Sequence, residues 1–265
     1  MSKILEKIRT YSLKFKKNQF LFEELVKRDF KRRYARTVLG MLWSILNPLL
    51  QLLVMRLVFS HFFGASIPHY TTYLFSGMVV FNYFSESTNE GMLSLVENAN
   101  IFTKINVPKY LFLFAKNSQS FINFLLILIV YFFFCLLDGI TFTWKFLMLL
   151  YPILMLVIFN LGSGLILSAI YVFFRDMHYF WSVFLILLQY VSAVFYQIDT
   201  FPPQYQRLFY LNPVYLYIHY FRSIVLYGQI PSLLLHVVIC LEAMLFFFVG
   251  VLTYRKYNMQ FLYYV

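Results

Sequence analysis

Residues 124–137 read FLLILIVYFFFCLL, fourteen positions without a charge, an amide, a glycine or a proline. Extended back to Ser118, the run approaches the roughly 20 residues with which an α-helix crosses ~30 Å of hydrocarbon. Closed β-barrels also span membranes, but their strands alternate lipid-facing apolar and lumen-facing polar residues. The run has no such alternation, so it predicts a membrane helix. Working outward, similar runs predict six spans: Leu39–Ser60, Thr72–Leu93, Ser118–Leu137, Phe146–Val172, Phe180–Tyr196 and Leu233–Tyr254.

The whole chain agrees with this reading. Of its 265 residues 61% are hydrophobic and only 12% charged, against about 25% charged in ordinary globular domains. A soluble chain of this size cannot hide that much apolar surface. A cytosolic enzyme, a disordered protein and a disulfide-built secreted module are thereby excluded. Cys135 and Cys240 both fall inside apolar runs without a CxxC or a nearby His, which suits small buried hydrophobes better than metal ligands. The first thirty-odd residues are polar and amphipathic and are not read as a signal peptide.

The 22 Lys and Arg against 11 Asp and Glu give a net charge of +11. Basic excess suggests nucleic acid until its position is considered. With the N-terminus inside, eighteen of the cations precede the first span, fall between spans on the inner side or follow the last span. Only Lys145, Arg207 and Arg222 lie outside, and Arg56 sits within the first span. The positive-inside rule then places both termini in the cytoplasm, and no nucleic-acid partner is expected.

Three divisions follow. Residues 1–38 form a cytoplasmic amphipathic interface segment in which Leu5, Ile8, Leu13, Phe20, Leu21, Leu25 and Phe30 are spread among lysines and arginines, as in helices lying in the headgroup plane. Residues 39–254 form the six-span membrane domain, and residues 255–265 a cytoplasmic tail. Between spans five and six, 198–232 is apolar but interrupted at Pro202, Pro203, Asn212 and Pro213. It is too short for two spans and reads as a re-entrant outer hairpin.

Soluble chemistry is hard to find. No GxxxxGK[ST] loop, HExxH or GxSxG occurs, so ATP hydrolysis in the P-loop manner is not expected of this chain. GSGLILS at 162–168 reads as small-residue helix packing.

Ionisable and amide groups inside spans are costly in lipid and draw functional readings. Asn82, Glu86, Glu90 and Glu97 recur at spacings of 4, 4 and 7, one helical stripe. Glu242 falls near the middle of the last span. Arg56 suits either snorkelling to headgroups or a pore-lining contact. Ser182, Gln189, Ser192 and Tyr196 share a face of the fifth span. Rings and amides of this kind suit sugars, whose C–H faces pack on rings while their hydroxyls meet amides. Candidate channel residues are therefore Arg56, Asn82, Tyr83, Phe84, Glu86, Glu90, Gln189 and Tyr196.

RDFKRRYARTVLGMLWSILNPLL, residues 28–50, resembles the opening of ABC-2 type permeases, the membrane subunits of polysaccharide exporters. Arg28, Asp29, Lys31, Arg33, Tyr34, Thr37, Leu39, Gly40, Trp43 and Pro48 carry the likeness. NANIFTKINVPKY (98–110), FFRDMHYFW (173–181) and LNP (211–213) with Arg222 follow in the family's order. GMVVFNYF (77–84) and the short tail YRKYNMQFLYYV depart from it.

The resemblance implies a homodimer of six-span subunits with two copies of a separate ATPase, which would hold the ATP and Mg, leaving no cofactor on this chain. It implies a bacterial cytoplasmic membrane, a coupling segment at 98–110, and a pore between subunits carrying a lipid-linked glycan such as O-antigen, teichoic acid, capsule or rhamnan. Arg28, Asp29, Asn98, Lys104, Pro108 and Lys109 would then serve the ATPase contact. Competing readings are a drug or lipid exporter of the same family and an integral-membrane transferase using Glu86, Glu90 and Arg175/Asp176. A proton-driven transporter using Glu242 would call for inverted repeats, which the sequence lacks.

Overall fold

A computed structural model of the chain describes residues 18–33, 35–64 and 67–264. Residues 1–17 of the amphipathic segment, and Tyr34 of the opening motif, lie outside the described residues. Among the described residues the regular elements are helices and there is no strand. The order is α1 (18–33), α2 (Trp43–Phe63), α3 (Tyr70–Glu97), α4 (Ala99–Phe102), α5 (Tyr110–Leu137), α6 (Leu150–Phe173), α7 (Met177–Val191), α8 (Pro203–Phe209), α9 (Pro213–Val225) and α10 (Leu233–Tyr257).

Four of the described helical stretches are long and apolar enough to cross a membrane: Gly40–Phe63, Tyr110–Leu137, Trp144–Phe173 and Leu233–Tyr257. The other two predicted spans differ for separate reasons. α3 has 28 residues but carries the Asn82/Glu86/Glu90/Glu97 stripe. α7 has 15 residues, about 22 Å of helix at 1.5 Å per residue. It stops at Val191, five residues before the predicted end of span five. α5 instead begins eight residues before its predicted start, because the polar Lys116–Ser120 stretch is buried against α3 and continues the helix.

Small residues set the closest packing. A Cβ on Gly162 would run into the α10 backbone at Phe246 and Phe247, and one on Gly250 would lie 2.8 Å from the Gly162 carbonyl oxygen. A Cβ on Gly91 would lie 3.2 Å from Gly164 Cα, so α3 and α6 also approach backbone to backbone. Ser168 Oγ is 2.7 Å from Tyr254 Oη across the α6–α10 seam. GSGLILS thus packs as its small residues predict.

Two apolar cores result. The larger gathers α3, α5, α6 and α9, with Tyr131, Tyr217, Tyr220, Phe75 and Phe221 fully buried. The smaller joins α1 through Leu25 to Leu95, Phe102, Phe112 and Phe261. The described part of the head therefore docks on the bundle by its Leu21/Phe22/Leu25/Val26 face, leaving Glu23, Glu24 and Lys27 exposed. Outside the cores, α2 exposes Leu53, Val54, Leu57 and Phe62, and α7 exposes Val183, Ile186 and Leu187.

Gly162→Leu should cost about 1–3 kcal/mol through overpacking and lower the midpoint of thermal aggregation in detergent. Leu241→Ala, on the exposed face of α10, should leave that midpoint nearly unchanged. Equal behaviour of the two variants would contradict the α6–α10 contact.

Candidate functional site

The polar groups of the bundle gather in three places. The first is where α7 breaks. After Val191 the chain leaves helical geometry, Ala193 adopts φ +51°, and four successive carbonyls have no helical donor. Side chains supply the donors. Arg222, 4% exposed, donates to Ala193 O and Val194 O, both at 2.8 Å. Tyr70 Oη donates to Phe195 O at 3.1 Å and Tyr73 Oη to Tyr196 O at 2.6 Å. Arg222 also donates to Tyr73 Oη at 2.7 Å and Ser76 Oγ at 3.2 Å, with its guanidinium carbon 3.5 Å from the Tyr73 ring centroid. A Cβ at Gly77 would sit 2.7 Å from Arg222 Nη2, so the glycine makes the guanidinium's room. Irregular backbone buried away from water is tolerated only when its groups are satisfied in this way.

Asn212 completes the knot. Its Oδ1 accepts from Val214 N at 3.0 Å, capping α9 with Pro213 in the first turn, while its Nδ2 donates to Ser192 Oγ at 2.8 Å. The Asn-Pro pair read as a break is thus the start of α9. Pro202 and Pro203 open α8 in the same hairpin.

The second place is a polar cleft of about 250 Å³ walled by α2, α3 and α5, with Arg33, Ser44, Asn47, Gln51, Asn82, Glu86 and Asn123 on its lining. Glu86 accepts from Asn123 at 2.9 Å and pairs with Arg33. Asn82 donates to Gln51 at 3.2 Å. One turn further along α3 the stripe meets Lys116 of α5, whose Nζ is 2.8 Å from Glu90 and 2.9 Å from Glu97. Lys116 is buried, and two carboxylates offset its desolvation. Asn117 beside it bonds Ser87. The partners of the stripe are therefore amides and cations of the helices opposite, while Glu97 at its far end stays exposed.

The third place is the end of the bundle at α1 and α4. Arg28 donates to Asp29 Oδ1 at 2.6 Å and to Asn98 Oδ1 at 2.7 Å, and Asn98 donates back to Ser94 O. The head is thus tied to the end of α3 by the predicted Arg28, Asp29 and Asn98. Beyond α4, Lys104 is exposed and Pro108 half-buried, whereas Lys109 is buried and donates to Asn258 O and Oδ1 at 2.7 and 3.0 Å.

The remaining candidates separate. Tyr83 is buried against α5, stacked on Phe124 at 4.5 Å, and Phe84 packs on Phe159 and Trp181. Arg56 is exposed on α2, and Gln189 is half-buried on α7. Tyr196 donates to Tyr190 O and packs on Phe201. Glu242 is half-buried, with Oε2 lacking a hydrogen-bond partner. Sequence reasoning missed the partners: Gln51, Asn123 and Lys116 opposite the stripe, and Tyr70, Tyr73, Ser76 and Gly77 around Arg222. The spacing of Asn123 and Lys116, seven apart on α5, was the available signal.

A helical bundle with four membrane-length apolar helices among the described residues, a broken helix and paired charges inside defines a multi-pass membrane protein. Residues 21–226 match the ABC-2 type transporter family, and the chain belongs to that family. It is 30% identical over 82% of its length, and 86% of the relative's, to an O-antigen export system permease protein RfbA of Klebsiella pneumoniae. The RfbA of Myxococcus xanthus is 29% identical over 80% of this chain and 82% of its own length. The polysialic acid transport protein KpsM of Escherichia coli is 23% identical over 91% and 95%.

Arg222→Met should leave two buried carbonyls without donors, costing roughly 2–5 kcal/mol. Tyr70→Phe removes one hydroxyl donor and should cost about 1 kcal/mol. Thermal melts of the purified protein check both, and an Arg222→Met midpoint equal to wild type would contradict the knot.

Proposed function

We propose that this chain is the membrane permease subunit of an ATP-driven exporter that moves a lipid-linked cell-surface polysaccharide across the bacterial cytoplasmic membrane. The observation that carries the reading is family membership over most of the chain together with similarity to an O-antigen export permease and a polysialic acid transport protein along 86% and 95% of their lengths. The chain's own polar seam supports it. Amides from three helices open onto the cleft around Glu86, a lining able to exchange hydrogen bonds with sugar hydroxyls.

On this proposal α3 and α7 are the second and fifth of six spans, and α8 and α9, following the break that ends α7, form the re-entrant outer hairpin. Both termini are cytoplasmic, in keeping with the eighteen inner cations. Two copies form the pore, the exposed apolar faces of α2 and α7 meeting lipid or the second copy. A separate ATPase, also in two copies, holds ATP and Mg. The 98–110 segment is its coupling contact, with exposed Lys104 reaching the partner while Pro108 and buried Lys109 fix where α5 begins.

Lys104→Glu should weaken co-purification of the ATPase without changing membrane insertion, and full recruitment would remove Lys104 from the contact. Glu86→Leu should lower export about tenfold, the factor for one lost charged hydrogen bond worth about 1.4 kcal/mol. It should leave the dimer intact by crosslinking. Unchanged export would return Glu86 to a packing role.

A further inference from the structure

At the α1/α4 end of the bundle a cleft of about 570 Å³ opens between the start of α5 and the last turns of α10. Phe114, Leu165 and Val251 line its body, and Lys109 and Arg255 are on its lining as well. No residue among the described ones that line it is acidic. The volume is about twenty times the ~30 Å³ share of one water, far more than a free inorganic anion needs, and its walls are largely apolar.

The cations are placed to be used. Lys109 Nζ has three donors, and two go to Asn258. Neither acceptor is a carboxylate. Burial lowers the Lys109 pKa below the ordinary lysine range, and Asn258 and the Phe102 ring meet the charge without a carboxylate, so a neighbouring anion would offset the remaining desolvation. Arg255 is exposed one turn beyond Val251, with Lys256 next to it. Apolar wall and cations thus follow one another along α10 over a single turn, as acyl chain and phosphate follow one another in a lipid.

We infer that this cleft binds one anionic phospholipid of the inner leaflet, its phosphodiester at Lys109 and Arg255 and an acyl chain along Phe114, Leu165 and Val251. The occupant wedges α5 against α10 beside the end of the coupling segment. Lipid composition would thereby bear on how firmly that segment is held. Basic pockets between membrane helices recognise anionic headgroups by this combination of charge and apolar depth. The inference rests on the inward placement of this end of the bundle proposed above.

The test uses the permease with its ATPase, reconstituted in phosphatidylcholine vesicles containing a minor share of phosphatidylglycerol, then extracted gently for native mass spectrometry. Wild type should retain phosphatidylglycerol well above its share. Arg255→Gln should reduce that enrichment about fivefold, the factor for about 1 kcal/mol per basic residue at the surface. Val251→Trp, which fills the cleft, should abolish it, whereas Arg207→Gln on α8 should not change it. Millimolar inorganic phosphate should leave the lipid bound.

Retention at the bulk ratio overturns the inference. So does enrichment that survives both Arg255→Gln and Val251→Trp, displacement by phosphate, or loss of the lipid whenever the ATPase is bound. Because Val251→Trp can fail to fold, Arg255→Gln decides alone if that variant does not purify. Labelling of Met259→Cys from the inner side only, in a chain with Cys135 and Cys240 replaced by Ala, reports the orientation separately. Inner labelling without lipid enrichment sinks the lipid site while leaving the topology standing.

Discussion

The contact on which the architecture depends is the guanidinium of Arg222 against the carbonyls of the broken end of α7. Unwound backbone buried away from water is costly unless every carbonyl finds a donor. Here Arg222, Tyr70 and Tyr73 supply donors to four carbonyls in succession. That arrangement fixes α7, α3 and α9 relative to one another. It requires a glycine at 77 for space and an asparagine at 212 to start α9 and tie it to Ser192. The cation meets no carboxylate in this set of contacts. Carbonyl dipoles and the Tyr73 ring hold it, which suits Arg far better than Lys because the planar fork serves several acceptors at once.

The same economy governs the other polar residues. Glu86 is matched by Asn123 and Arg33, and Glu90 and Glu97 share Lys116. Each pairing joins α3 to another helix, so the charges specify helix register as well as offering polar surface. At Glu86 the pairing lines a cleft, whereas at Lys116 a buried cation is held by two carboxylates that stay partly exposed. Amides from three helices gather at the Glu86 end, while Lys116 clasps α3 to α5.

Fold class was legible in the sequence because apolar runs of membrane length leave few alternatives, and the stripe on α3 was legible because a spacing of four survives any small error in helix ends. What hydropathy could not show was the early stop of α7. Val191–Tyr196 is as apolar as the helix before it, and its unwinding is imposed by an arginine thirty residues later. The start of α5 was hidden for the opposite reason: Lys116–Ser120 is polar in isolation and becomes buried only through α3. Adjacent Asn82, Tyr83 and Phe84 were grouped as one candidate lining. At about 100° per residue they diverge, Asn82 to the cleft, Tyr83 to α5, Phe84 to α6 and α7. The Arg28–Asp29–Asn98 tie joins two motifs that the sequence offered separately, seventy residues apart.

The account's central claim is transport driven by a partner's ATP hydrolysis through a pore this chain forms. Its most direct test is reconstitution of the chain with its ATPase in vesicles, following transfer of a lipid-linked polysaccharide to the opposite leaflet. The account predicts transfer that needs both subunits and ATP and that stops when the ATPase carries a hydrolysis-dead substitution. Transfer by this chain alone without nucleotide, or transfer indifferent to that substitution, would contradict it.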